Sequence, residues 1–167
     1  IKWWLPDRIL FDSVPLTAFA GIGRVERFPD YWETIASGKE SLVSLSAFNT
    51  RPERTTQLDV GAVYGSDRLE YSLSAFYSSV QDYILIETGV TRGMRLTTIV
   101  RNVDARTFGG EAELAVRLAS SLKLTGTMAY TRCNNRTDHR PLAQVAPLEA
   151  RFGLDYSRAQ WSAGVLW

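Results

Sequence analysis

A single histidine, His139, occurs among 167 residues, so a serine-type relay would have to run through it. It lies between Asp138 and Arg140 in a polar stretch, where a solvated loop histidine is expected. Glu111 and Glu113 could act as paired carboxylates. Their i, i+2 spacing places them on the wet face of a strand, facing water or a covering domain. Met94, Cys133 and His139 offer two sulfurs and an imidazole, a set that would suit copper(I). Their spacing matches no metal motif, and Met94 belongs to a different loop. Gly109-Gly110 is not followed by a helix and is no phosphate cradle; glycine within a strand marks a bulge or bend. Arg92, Arg95, Arg132, Arg136 and Arg140 could draw an anionic chelate, or they could be solvated loop residues. No catalytic, cofactor-binding or metal residue is assigned, no cofactor is implied, and the chain does not read as an enzyme.

The elements that must carry these residues are strands. Leu69, Tyr71, Leu73, Ala75 and Tyr77 share one face, opposite Arg68, Glu70, Ser72, Ser74 and Ser78. Ala112, Leu114, Val116 and Leu118 repeat the apolar row opposite Glu111, Glu113 and Arg117, and Leu122, Leu124, Met128 and Tyr130 do so opposite Lys123, Thr125, Thr127 and Thr131. Alternation of this kind is the signature of a strand with one oily and one wet face. About seven such strands are predicted: 15–27, 55–64, 68–86, 100–118, 122–132, 145–156 and 160–167. Tight turns are expected at Gly65-Ser66-Asp67, Ala119-Ser120-Ser121 and Ser157-Arg158-Ala159. Long polar connections are expected over 28–54, 87–99 and 133–144, so the third strand, longer than a membrane crossing requires, should project beyond it.

Connections of about three residues at one end and about a dozen or more at the other point to an outer-membrane β-barrel, with Met128 facing lipid. The long loops would then meet anionic lipopolysaccharide. Net charge is +1, which gives no reason to expect nucleic acid. No apolar run approaches the length of a membrane helix, but lipid contacts only alternate residues of a barrel strand. Aromatics make up 11% of residues. Tyr64, Tyr83, Tyr130, Tyr156 and Trp161 lie near strand ends, where aromatic girdles would sit, although aromatics also favour strands in general. Cys133 is the only cysteine, so no intrachain disulfide can form. No signal peptide is visible, and residues 1–13, with Trp3-Trp4, fit the pattern poorly. A bacterial barrel has an even strand number from eight upward, and an open sheet would leave unpaired edges in lipid. The expectation is an arc of a larger barrel.

Several stretches resemble the barrel half of TonB-dependent outer-membrane receptors. Arg27-Phe28-Pro29-Asp30-Tyr31-Trp32-Glu33 resembles that family's Arg-Phe-Pro-Asp strand end, in the wording of a copper-associated branch. Arg51-Pro52-Glu53 through Gly61 resembles its Pro-Glu strand entry, and Val80-Gln81-Asp82-Tyr83-Ile84 its Asp-Tyr-Ile strand end. Arg101-Asn102-Val103-Asp104 followed by Gly109-Gly110-Glu111-Ala112-Glu113, then Thr127 to Thr131, then Arg140-Pro141-Leu142 with Pro147, complete the order. The resemblance covers 14–167, and it is the order and spacing of these motifs together that is specific.

That resemblance implies an all-β fold, an antiparallel up-and-down meander forming part of a roughly 22-stranded barrel closed around a plug. It implies import of a metal ion or metal chelate across the outer membrane of a Gram-negative bacterium, driven by the TonB complex. The implied partners are outer-membrane lipid, the receptor's own plug domain, the TonB complex and the metal or chelate. The family's plug, coupling box and Asn-Leu-Phe-Asp segment do not occur within 1–167, so the chain is expected to be a partial barrel that transports nothing alone. Trp167 is aromatic, as barrel C-termini often are. Two other readings stay open: an unplugged channel or adhesin barrel, and a soluble β-sandwich binding module.

Overall fold

The computed structural model describes residues 15–35, 38–143 and 145–167. The expectations for 1–13, including Trp3-Trp4, lie outside the described residues. The elements are β1 (Leu16–Arg27), α1 (Tyr31–Thr34), β2 (Lys39–Glu40), β3 (Glu53–Gly65), β4 (Leu69–Arg92), β5 (Arg95–Ala119), β6 (Leu122–Asn135), β7 (Arg140–Pro141), β8 (Glu149–Arg158) and β9 (Trp161–Leu166). All strands belong to one sheet. Its path runs β1-β3-β4-β5-β6-β8-β9, with β2 beside β5 and β7 beside β6. Neighbours along that path are antiparallel, and only the two-residue β2 pairs in parallel. There is no second sheet among the described residues, as a sandwich would need.

Register aligns the alternation of separate strands into two continuous faces. Across the sheet, Ala20 stands opposite Val60, Val60 opposite Ala75, Ala75 opposite Gly110 and Gly110 opposite Tyr130. A parallel row runs through Ala18, Ala62, Leu73, Ala112, Met128 and Ala150. This apolar face is uncovered: Leu73 is 51% exposed, Met128 50% and Phe152 51%. The other face carries Asp59, Ser74, Glu111, Glu113, Thr127 and Arg151 at matching register positions.

The tight turns fall where expected, at Ser66–Arg68, Ser120–Ser121 and Ala159–Gln160. The opposite end corrects the sequence expectation. The loop expected over 87–99 is a hairpin: β4 and β5 continue as strands of 24 and 25 residues, and Gly93 and Met94 alone form its tip. Gly89 (φ +69°) and Gly93 (φ +65°) suggested irregular chain, but the first relaxes a bulge between Glu87 and Val90 and the second turns the tip. The β-branched residues on either side of the tip (Val90, Thr91, Thr97, Thr98, Ile99) hold the strands. Likewise β6 runs on to Asn135, β7 occupies part of the second expected loop, and 28–54 contains α1 and β2.

Two further placements differ from expectation. Gly109-Gly110 is no bulge, because its pairing to β4 and β6 is continuous. A Cβ on Gly109 would stand 2.8 Å from the Phe76 ring and closer still to the Tyr130 carbonyl, so glycine is there for close approach. Phe19 lies over Gly61 in the same manner. Tyr83 does not join an aromatic girdle. A bulge between Val80 and Tyr83, with Asp82 at φ +58°, inserts one residue and turns Tyr83 to the polar side, opposite Val103.

Candidate functional site

The motifs that set this sequence apart converge where the loop-side ends of β1 and β3 meet the middle of β4 and β5. Asp30 caps α1: its carboxylate accepts from the Glu33 backbone N–H at 2.9 Å, and Glu33 Oε2 accepts from the Asp30 N–H at 3.0 Å. This capping box holds a helix of only four residues, which propensity alone would not sustain. The box aims Glu33 at Arg27, whose guanidinium donates to Glu33 Oε2 at 2.9 Å and to Glu53 Oε2 at 2.8 Å. Glu53, the first residue of β3 and almost buried, uses Oε1 to accept the Ile84 backbone N–H at 2.7 Å. One carboxylate thus joins the end of β1 to β4 beyond the Asp82 bulge. A buried N–H there needs such a partner, because the bulge interrupts the ladder.

Asn102 makes a second clasp on the other side of β5. Its Nδ2 donates to the Arg51 carbonyl at 2.9 Å and the Asp82 carbonyl at 2.7 Å, and its Oδ1 accepts the Arg51 N–H at 2.8 Å. Arg51 Nη2 in turn meets Asp82 Oδ1 at 2.6 Å. Above this point Ala47 packs on Ile84 and Val100, the small core of the projecting hairpin. The side chains resembling Arg-Phe-Pro-Asp, Pro-Glu, Asp-Tyr-Ile and the Asn strand therefore fix how the chain leaves its strands and enters its loops. They do not form a reaction centre.

On the polar face of the hairpin, Arg101 donates to Glu87 Oε2 at 2.8 Å and forks onto Asp138, with Nη1 to Oδ1 at 3.1 Å. Arg140 closes the network on Glu87 and on Asp138, the latter at 3.3 Å. Asn135 Nδ2 donates to Asp138 Oδ2 at 2.7 Å. The Arg101 guanidinium holds the carboxyls of Glu87 and Asp138 below the usual carboxylate range. These groups stand on the projecting part of β4 and β5 and on the β6–β7 turn. Glu40, whose side chain is 4% exposed, bridges Arg92 at 2.8 Å and Arg95 at 2.7 Å. Burial works to raise its carboxyl, and Arg92, Thr97 and Arg95 together outweigh that and lower it.

The candidate residues from sequence are dispersed. Met94 is fully exposed at the hairpin tip. Cys133 is in β6 rather than a loop, paired in register with Thr107, whose hydroxyl lies 2.9 Å from Sγ. Thr107 is twelve positions along β5 from Arg95, about 40 Å, so Met94 and Cys133 cannot share an ion. His139 sits in the β6–β7 turn with φ +55°. Among the described residues no cluster of three His, Cys, Asp or Glu side chains could hold a metal. Glu111 and Glu113 are exposed on the polar face, opposite Ser74 and Ser72. The five loop arginines separate: Arg92, Arg95 and Arg140 are consumed by carboxylates, whereas Arg132 and Arg136 make no ion pair among the described residues. Sequence reasoning named Glu53, Arg101 and Asn102 only as motif residues without their partners, and missed Glu40 altogether, because those partners lie elsewhere along the chain.

A family model described as TonB dependent receptor-like, beta-barrel matches residues 8–167. The chain is similar to the solved structure of the copper transporter OprC, with 42% identity and a TM-score of 0.83 over 92% of this chain and 24% of that one. It resembles the pyoverdine outer membrane receptor FpvA from Pseudomonas aeruginosa PAO1 in fold, at 16% identity and a TM-score of 0.55, covering 84% of this chain and 20% of that one. The FpvAI–pyocin S2 complex aligns similarly, at 16% identity and a TM-score of 0.58, over 92% and 20% of the two chains. No curated protein sequence matches the chain. The chain thus spans about a quarter of the length of that copper transporter. With one open sheet of two-faced strands and a family match across nearly its whole length, the chain belongs to the TonB-dependent receptor β-barrel family, a family of transport receptors and not enzymes.

Proposed function

We propose that this arc forms part of the wall of an outer-membrane receptor that imports a metal ion or metal chelate, with copper the first candidate. The observation that carries the reading is the 42% identity to a copper transporter across 92% of the chain. The arrangement of faces supports it. The uncovered apolar face suits lipid, and the polar face suits a water-filled interior and a plug domain. Among the described residues β1 and β9 are the sheet's edges, and such edges call for the further strands of a closed barrel. On this reading β4 and β5, each more than twice the length needed to cross the apolar band, carry their hairpin outside the cell. The clasps at Glu53 and Asn102 set the direction in which the outer loops leave the wall. The ligand itself would be held by parts of the receptor outside this arc, since Met94, Cys133 and His139 do not meet.

The test is metal accumulation in a receptor-deletion strain that expresses the complete receptor carrying this arc, in cells with and without a working TonB complex. Copper accumulation above the deletion strain, lost without TonB, is the expected result. Accumulation that persists without TonB identifies a passive channel and overturns the proposal.

A further inference from the structure

The projecting hairpin is gripped by two other connections, and the two grips meet at one residue. β6 pairs with β5 only from Ala105 onward, so β2 takes the edge of β5 above that point, with Glu40 beside Ile99. On the other edge Glu87 stands opposite Ile99. Residues in register across a sheet share a face. Glu40, Ile99 and Glu87 therefore form one row, about 10 Å from end to end at two strand spacings. Ile99, between the two carboxylates, is buried.

Each carboxylate of the row is shared by two arginines. Arg92 and Arg95 face each other across the hairpin just below its tip. Like charges in that position repel, and Glu40 bridges both, at 2.8 Å and 2.7 Å. Arg92 Nη1 also donates to the Ser41 carbonyl at 3.2 Å. Glu87 accepts from Arg101 of β5 and from Arg140 of β7, and Asp138 of the β6–β7 turn bridges the same two arginines. No salt bridge joins the β1–β3 connection directly to the β6–β7 turn among the described residues. Both are fastened to the hairpin instead, and at the same level. The β4–β5 register breaks there too, between Glu87 and Val90, where Gly89 has φ +69°. The interrupted ladder leaves the side-chain clasps to hold this part of the hairpin.

We propose that the Glu40–Ile99–Glu87 row couples the β1–β3 connection to the β6–β7 turn, so that both open and close as one unit with the hairpin. Loosening one clasp lets the chain shift at the Gly89 bulge and strains the other clasp. Such coupling is reciprocal: release of the first changes the second by the same factor as the reverse. A partner that touches either connection would thereby change the other. The coupling does not depend on which ligand the receptor imports.

Hydrogen exchange of the complete receptor, read by mass spectrometry, tests this. Glu40 bonds to no residue of the β6–β7 turn, and Asp138 and Arg140 bond to none of residues 39–51. The reporters are the Arg136 N–H, which donates to the Asp104 carbonyl at 2.7 Å, and the Ser41 N–H, which donates to the Ser46 carbonyl at 3.0 Å. Glu40→Gln should speed exchange at Arg136 by about threefold or more, and Asp138→Asn/Arg140→Gln should speed exchange at Ser41 by a similar factor. Where Glu40→Gln lowers the yield of folded receptor, Arg95→Gln, which leaves the Arg92 bond in place, is read in the same way. Acceleration confined to each variant's own connection overturns the proposal, and so does an effect in one direction alone. Exchange over 69–77, in the lower part of β4, should stay unchanged. Faster exchange there as well would assign the change to loosening of the whole wall and would also sink the coupling.

Discussion

Phe76 lies over Gly109 on the polar face, so close that a Cβ at Gly109 would stand 2.8 Å from the ring. A bulky aromatic on a wet face is thereby laid against the wall, using the space a side chain would otherwise fill. Gly109→Val should destabilise the barrel by about 1–3 kcal/mol, because the ring and the Tyr130 backbone must both yield. Gly21→Ala is the control. Nothing lies within 4 Å of a Cβ there, and the change should be neutral or slightly stabilising. Urea midpoints of the complete receptor, read by gel mobility, measure both.

Glu53 joins Arg27 to the Ile84 N–H, and removing it strands a buried donor. Glu53→Ala should cost about 2–3 kcal/mol. Hydrogen exchange at Ile84 and its neighbours should accelerate, with the membrane-level part of β4 unaffected. Unchanged protection at Ile84 would show that water or another acceptor replaces the carboxylate.

The Arg101 network gives a pH dependence whose sign is fixed. Glu87 and Asp138 have carboxyls held below their ordinary values in the folded state, so they take up protons less readily there than in the opened hairpin. Their contribution is complete above the ordinary carboxylate range of roughly pH 4 and is lost as pH falls through the lower folded values. Acid-stable protease cleavage near Gly93 should therefore rise only in strong acid. Arg101→Gln should make the β6–β7 turn cleavable at neutral pH and flatten that profile.

The two faces should respond oppositely to charge. Leu73→Arg, at mid-belt on the apolar side, is expected to cost about 2–4 kcal/mol in a membrane, whereas Ser74→Arg on the polar side is expected to be tolerated. Yields of folded receptor in outer-membrane fractions report the difference. Comparable loss for both would argue against lipid on the Leu73 side.

Much of the wall is legible in the sequence because alternation is a local property: Leu69 to Tyr77 shows its two faces without reference to any other strand. The same holds for the turns at Ser66–Arg68 and Ser120–Ser121, and for the order of the family motifs. The sequence by itself thus determined the seven main strands of the wall, the division into apolar and polar faces and the family, but not β2, β7 or the extension of β4 and β5 into a hairpin. It could not determine what depends on pairing. One inserted residue at Asp82 reverses the sidedness of β4 as far as the second bulge at Gly89, which moved Tyr83 to the polar side; Gly89 and Gly93 look alike in sequence whether they lie in a loop or shape a hairpin. Which arginine meets which carboxylate was likewise decided only by tertiary structure, since Glu40 and Arg92, or Glu87 and Arg140, are about fifty residues apart. Register, a cooperative property of many long-range pairs, brings those residues together and leaves Arg106, Arg132 and Arg136 without carboxylate partners among the described residues.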